Sequence, residues 1–136
     1  MKISYNFVYL VIFILFFSCS KKEEQITILE EKNLETQMIE VYKQAIEEFE
    51  KGDVIFAAKK FSEAELLYPQ SVWAPRAALM SAYVHFSQNY YSYAINDLER
   101  FLIKYKNHRQ TDYAYYLLAL CHYNQIIDEK KDFNEI

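Results

Sequence analysis

A stack of antiparallel helix pairs, with no strands, is the fold class this sequence predicts, on three observations. The 136 residues include one glycine and two prolines, too few turn formers for a sheet protein of this length. Small and aromatic positions recur at an interval of 37 residues: Ala45, Ala82 and Ala119 (119 − 82 = 82 − 45 = 37), then Phe49, Phe86 and Tyr123. Ala57 and Ala94, Phe61 and Leu98, Ala64 and Phe101, and Tyr68 and Tyr105 keep the same interval. Within each unit these residues lie three and four apart, the spacing of one helix face. With 52% hydrophobic and 18% aromatic residues, a single domain of this size can bury a core.

The elements follow in chain order. Phe7 to Phe17 (FVYLVIFILFF) is apolar throughout, and Lys2 is the charged side chain that precedes it. As a helix this run reaches about 16 Å, roughly half of a hydrocarbon core, so it reads as the apolar stretch of a secretory signal and not as a membrane span. Ser18-Cys19 after it resembles the lipobox of bacterial lipoproteins, although Phe16 and Phe17 stand where leucine and a small residue are usual. That resemblance implies a signal peptide over 1–18 and a covalent lipid on Cys19, the first residue of the mature chain. Acyl chains anchor a protein at about 0.8 kcal/mol per buried methylene. Ser20 is not the aspartate of an inner-membrane retention signal, which favours the outer membrane. The alternative for the same segment is a short uncleaved anchor. Residues 19–37, highly charged with sparse apolar positions, read as a solvated tether that turns helical toward its end.

From 38 to 136 the repeat takes over. Tyr42, Ala45 and Phe49 give the first helix its stripe, and Gly52-Asp53 ends it, because glycine accepts the positive φ at which helices stop. Asn89, one interval later, is the next best residue for that place. Ala57, Phe61, Ala64 and Leu67-Tyr68 form the second stripe, which Pro69 stops. A third first helix runs from Asp112 to about Ile127, with no second helix and no polar cap after it, so the chain reads as part of a longer array or a truncated product.

This small–aromatic–small–proline pattern resembles the tetratricopeptide repeat, with three extra residues in the connection YPQSVWAPRA. About two and a half such hairpins are present. The resemblance implies a trough lined by first helices. Its residues here are Tyr42, Ile46 and Phe49, then Arg76, Leu79, Tyr83 and Phe86, then Tyr113, Tyr116, Leu120, Tyr123 and Asn124. An aromatic trough with few charges suits an extended peptide bearing aromatic side chains, with Tyr83, Phe86 and Tyr116 central. Arg76 stands at its rim, where a guanidinium can take a carboxylate bidentately. Trp73 reads as a plug at the connection.

Two longer stretches narrow the family. FAAKKFSEAELLYPQSVWAPRAALMSAYVHFSQNYYSYAINDLERFLIKYKNH and DYAYYLLALCHYNQIIDEKKD resemble the BamD family of outer-membrane assembly lipoproteins, in its alphaproteobacterial form. The likeness covers about 38 to 132 and fades at Lys131-Asp132-Phe133, where relatives continue with an Arg-Asp-Gln type run. It implies a lipid-anchored periplasmic scaffold on the inner leaflet of the outer membrane, whose N-terminal repeats meet unfolded outer-membrane proteins and accessory lipoproteins. A BamA-type barrel subunit would dock on C-terminal repeats absent from this sequence. The rival reading is another envelope repeat lipoprotein, acting in cell-wall synthesis or division.

Other chemistries are poorly served. A net charge of −4, with lysines scattered among acids, argues against nucleic acid. No catalytic residue, metal site or cofactor beyond the lipid is expected. His85 and His122 share the repeat interval, but glycine-rich phosphate cradles, nucleophile elbows and HExxH are missing. Cys121 reads as a small buried hydrophobe.

Overall fold

A computed structural model describes residues 23–133, with side chains from 30 to 127; the leader 1–18 and Cys19 lie outside the described residues. Five helices and no strand make up the described chain: α1 (Glu23–Glu50), α2 (Val54–Leu67), α3 (Ala74–Ser87), α4 (Tyr91–Lys104) and α5 (Thr111–Phe133). The chain divides into two compact units, up to Lys32 and from Asn33 onward, and the packing of the five helices belongs to the second.

The charged segment expected to be a tether is helical from Glu23. Its Glu, Gln, Lys and Leu are strong helix formers, and helix propensity does not require an apolar stripe. Likewise α5 runs to Phe133, past the expected end near Ile127.

Both predicted stops after the first helices take the same form. Gly52 has φ +86° and Asn89 φ +63°. After α1, the Gly52 N–H donates to the Phe49 carbonyl (3.0 Å) and the Asp53 N–H to that of Glu48 (2.9 Å). One interval later, Asn89 donates to Phe86 (3.0 Å) and Tyr90 to His85 (3.0 Å). These paired bonds, one reaching back three residues and one five, form the Schellman motif that satisfies the last helix carbonyls. Asp53 then caps α2 by accepting the Phe56 N–H at 3.1 Å. Pro69 follows α2, and Pro75 lies in the first turn of α3, where its missing N–H costs nothing.

A Cβ at Gly52 would meet no atom within 4 Å, so the left-handed backbone alone penalises a substitution there. Gly52→Ala is expected to cost about 1 kcal/mol and Asn89→Gly to change little or stabilise slightly, in urea titrations followed by circular dichroism.

Three groups of buried side chains hold the hairpins together. Met38, Ala64 and Ala77 join α1, α2 and α3, with Trp73 and Tyr68 at their edge. Ala45, Val54, Ala57, Ala58, Phe61 and Val84 join the same three helices farther along. Ala78, Leu79, Ala82, Ala94, Leu98, Phe101, Ala114, Leu117 and Cys121 join α3, α4 and α5. Alanines at the crossings let backbones approach, and Phe61 or Phe101 fills the space beside them. The third repeated alanine behaves differently. Ala45 and Ala82 are buried against α2 and α4, whereas Ala119 is exposed, with no described helix over that side of α5.

Candidate functional site

The first helices α1, α3 and α5 share one face, and a cavity of about 330 Å³ opens on it. Tyr42 comes from α1, Arg76, Leu79, Met80 and Tyr83 from α3, Gln110 from the α4–α5 connection and Tyr113 from α5. A second hollow of about 260 Å³ with apolar walls adjoins it through Tyr42, lined also by Met38, Ile39, Lys43, Ile46 and Trp73. Together they make a continuous aromatic and aliphatic floor, in the size range of peptide and small-ligand clefts.

Ring packing fixes the walls. Tyr42 stands edge-on to Phe61 (5.1 Å between centroids) and to Trp73 (6.0 Å). Phe49 meets Tyr83 edge-on at 6.3 Å, and Tyr113 lies beside Tyr116 at 6.5 Å. Trp73 is half-buried, a plug as expected, and the Arg76 guanidinium lies 4.8 Å from its ring.

Charge in the cavity is nearly all on one side chain. Burial raises the Tyr42 phenol above its ordinary pKa, against the opposing pull of Arg76. Burial also raises Tyr113, helped by the neighbouring Tyr83 and Tyr116. The two phenols therefore stay neutral donors at physiological pH, and Arg76 supplies the cation. The Gln110 Oε1 is sealed from solvent and accepts no hydrogen bond within the chain. A ligand N–H would reach it once the Gln110 side chain turns into the cavity.

Of the trough residues expected from the repeat, the structure brings Tyr42, Arg76, Leu79, Tyr83 and Tyr113 around the main cavity. Ile46 lines the second hollow, and Phe49 backs Tyr83. Phe86 instead packs on Tyr91 beside the α3–α4–α5 core. Tyr116 and Tyr123 are exposed on α5, while Leu120 and Asn124 are half-buried there, and none of these four lines a described cavity. Sequence reasoning missed Met80 and Gln110.

A polar cluster on the α2–α3–α4 side had no sequence signal. Ser81 donates to Asp97 Oδ2 at 2.8 Å, His85 Nδ1 lies 3.0 Å from the same oxygen, and Arg100 reaches Oδ1 at 3.3 Å. Serine, histidine and aspartate meet, but aspartate sits between the other two. The imidazole is thus not placed to take the serine proton, as nucleophilic catalysis requires. His122 is exposed, and no cluster of His, Cys, Asp and Glu suited to a metal occurs among the described residues. Cys121 is fully buried, and burial pushes its thiol up to about 11, which leaves it unreactive.

Burial alone would raise the Asp97 carboxyl, but hydrogen bonds from His85 and Ser81 and the Arg100 charge outweigh it and hold it below its ordinary value. A carboxylate with a depressed folded pKa adds stability above its unfolded pKa of about 3.9 and loses it as pH falls through the folded value. The stability gap between the native chain and Asp97→Asn is therefore expected to stay level above about pH 5 and close below about pH 4, in urea midpoints measured across that range.

Comparison with known proteins adds a separate line. The family model for YfiO, described as outer membrane lipoprotein, matches residues 34–136. The chain is also similar to the outer membrane protein assembly factor BamD of Caulobacter vibrioides, 33% identical over 115 residues. That alignment covers 84% of this chain and 36% of the Caulobacter protein, so the chain spans little more than a third of its relative's length.

Proposed function

This chain belongs to the YfiO family of outer membrane lipoproteins, which includes BamD, and on that premise we propose that it is a lipid-anchored, non-enzymatic scaffold for outer-membrane protein assembly. Its α1–α3–α5 face holds an extended, aromatic-bearing segment of an unfolded barrel protein. The observation that carries this reading is the cavity itself. Neutral phenols and aliphatic groups surround one guanidinium, beside a buried amide oxygen with no acceptor role filled. Barrel strands typically carry aromatic girdle residues, and the C-terminal strand ends in a carboxylate. A ring on the Tyr83–Tyr113 floor and the carboxylate on Arg76 would use the first two features, and a main-chain N–H would use the third once the Gln110 side chain turns into the cavity.

The anchor belongs to Cys19, with the leader 1–18 removed and the molecule on the periplasmic side of the outer membrane. Accessory lipoproteins and a BamA-type barrel subunit are its proposed partners. The barrel subunit is assigned to repeats beyond those present in this sequence.

Photocrosslinking groups placed at Tyr83 and Tyr113, and for comparison at Phe86 and Tyr116, test the binding face. Strong adducts with a nascent barrel protein from the first pair and weak ones from Phe86 are expected. Equal adducts with a scrambled C-terminal peptide would contradict specific recognition. Arg76→Ala is expected to weaken peptide binding roughly 10-fold or more, the size of one lost charged hydrogen bond.

A further inference from the structure

Among the described residues, the three most exposed large apolar side chains are Ile103, Val72 and Leu66, at 80%, 77% and 67% of full exposure. All three lie at one end of the unit. Leu66 is in the last turn of α2, Val72 in the connection to α3, and Ile103 in the last turn of α4. Leu66 and Ile103 are equivalent repeat positions (103 − 66 = 37), and Val72 corresponds to Arg109 (109 − 72 = 37). The two helix ends are tied together beside them, because Glu65 on α2 accepts from Lys104 Nζ at 2.7 Å and from the Tyr105 hydroxyl at 2.8 Å.

The α4–α5 connection at this end is locally basic. Lys106 and Arg109 are exposed in the α4–α5 connection. Of the acids nearby, Glu65 is buried and matched by Lys104, and Glu63 pairs with Lys60 at 2.9 Å. Asp112 follows in the first turn of α5, and Glu35 and Glu40 lie on α1. The opposite end, around Gly52, carries Glu47, Glu48, Glu50 and Asp53 against Lys51. The chain also enters the unit at the end that carries Leu66 and Val72, since Met38 near the start of α1 packs beside Ala64, Ala77, Tyr68 and Trp73.

We propose that this end rests on an anionic lipid surface. Leu66, Val72 and Ile103 dip into the boundary between headgroups and acyl chains, while Lys106 and Arg109 meet lipid phosphates. The residue types favour lipid over protein. Protein-binding patches are rich in aromatic residues and methionine, and Leu66, Val72 and Ile103 are none of these. Exposed aliphatic tips beside bases are the chemistry of shallow interfacial binding, which scales with apolar area and with anionic lipid. Contact through these side chains does not require lipidation of Cys19.

Amide exchange of the full chain, followed by mass spectrometry with and without vesicles, separates the outcomes. With vesicles of phosphatidylglycerol and phosphatidylcholine, several-fold slowing is expected at 66–73 and 103–110 and none at 50–53 or 87–91. The slowing should disappear with phosphatidylcholine alone and in the Lys106→Glu/Arg109→Glu variant. It should shrink in Leu66→Ser/Val72→Ser/Ile103→Ser, with the helical circular dichroism of both variants unchanged. Equal slowing at both ends, or equal slowing on neutral vesicles, would overturn the proposal. Slowing that grows with protein concentration in the absence of vesicles would assign the surface to a second copy, and slowing only with added envelope proteins to a protein partner; either would overturn it.

Discussion

Phe61→Ala is expected to lose about 3–5 kcal/mol of stability, the range for emptying a fully buried phenylalanine site. Phe61 has no solvent exposure and sits at the crossing of α1, α2 and α3, among Ala45, Ala57, Ala58 and Val84. The methyl groups of the neighbouring alanines are too short to fill the void. The cost would be a large share of the total of about 5–15 kcal/mol that single domains have. It would also reach the α1–α3–α5 face, because the Phe61 ring is what Tyr42 leans on edge-to-face. Ile103→Ala, at the exposed repeat equivalent of Leu66, should change stability by no more than about 0.5 kcal/mol. Urea unfolding of the two variants measures the contrast. Similar losses would mean that the aromatic and small positions of the repeat do not build the core.

The second large effect concerns the one acidic residue in the described core. Glu65 is 1% exposed, held by Lys104, Tyr105 and, at 3.6 Å, the Arg100 guanidinium. Its Oε2 has no hydrogen bond. Lys104→Met removes the closest cation and leaves a buried carboxylate short of a partner. A loss of about 1–3 kcal/mol is expected, below the full penalty for a broken buried pair because Lys104 is itself 40% exposed and Arg100 remains. Glu65→Met/Lys104→Met should recover most of that loss, since two apolar groups replace a pair whose desolvation was never free. A double-mutant cycle in thermal or urea unfolding gives the coupling directly. If the double variant is as unstable as the single one, the salt link contributes through packing of its stems and not through charge.

Much of this architecture was legible because one physical signal repeats. The interval of 37 residues placed Ala45 and Ala82 at helix crossings, and both are fully buried. It also marked Gly52 and Asn89 as helix stops, and these are the described residues with positive φ. The interval could not say which side of α5 is covered. Ala119 keeps the spacing yet is exposed, because burial depends on a neighbouring helix and not on the residue alone. The early start of α1 escaped notice for a related reason, as a charged segment can be helical without an apolar stripe to announce it.

The α1–α3–α5 face was partly readable. Tyr42, Arg76, Leu79, Tyr83 and Tyr113 were found because inward positions of first helices follow the same period. Met80 was hidden within an apolar helix as apparent core, and Gln110 lies in a connection, where no period operates. Phe86 was expected at the centre of the trough but turns toward Tyr91, since a position on the flank of α3 can face either neighbour. The Ser81–His85–Asp97–Arg100 cluster spans two helices and has no local motif.

The measurement that bears most directly on the central claim is a backbone NMR titration with a peptide from the C-terminal strand of a barrel protein. Saturable shifts are expected at Tyr42, Arg76, Tyr83, Gln110 and Tyr113, weakened by Arg76→Ala and absent with a scrambled peptide of equal composition. Shifts centred on Tyr90 and Tyr93 instead, or the same response to the scrambled peptide, would contradict the account.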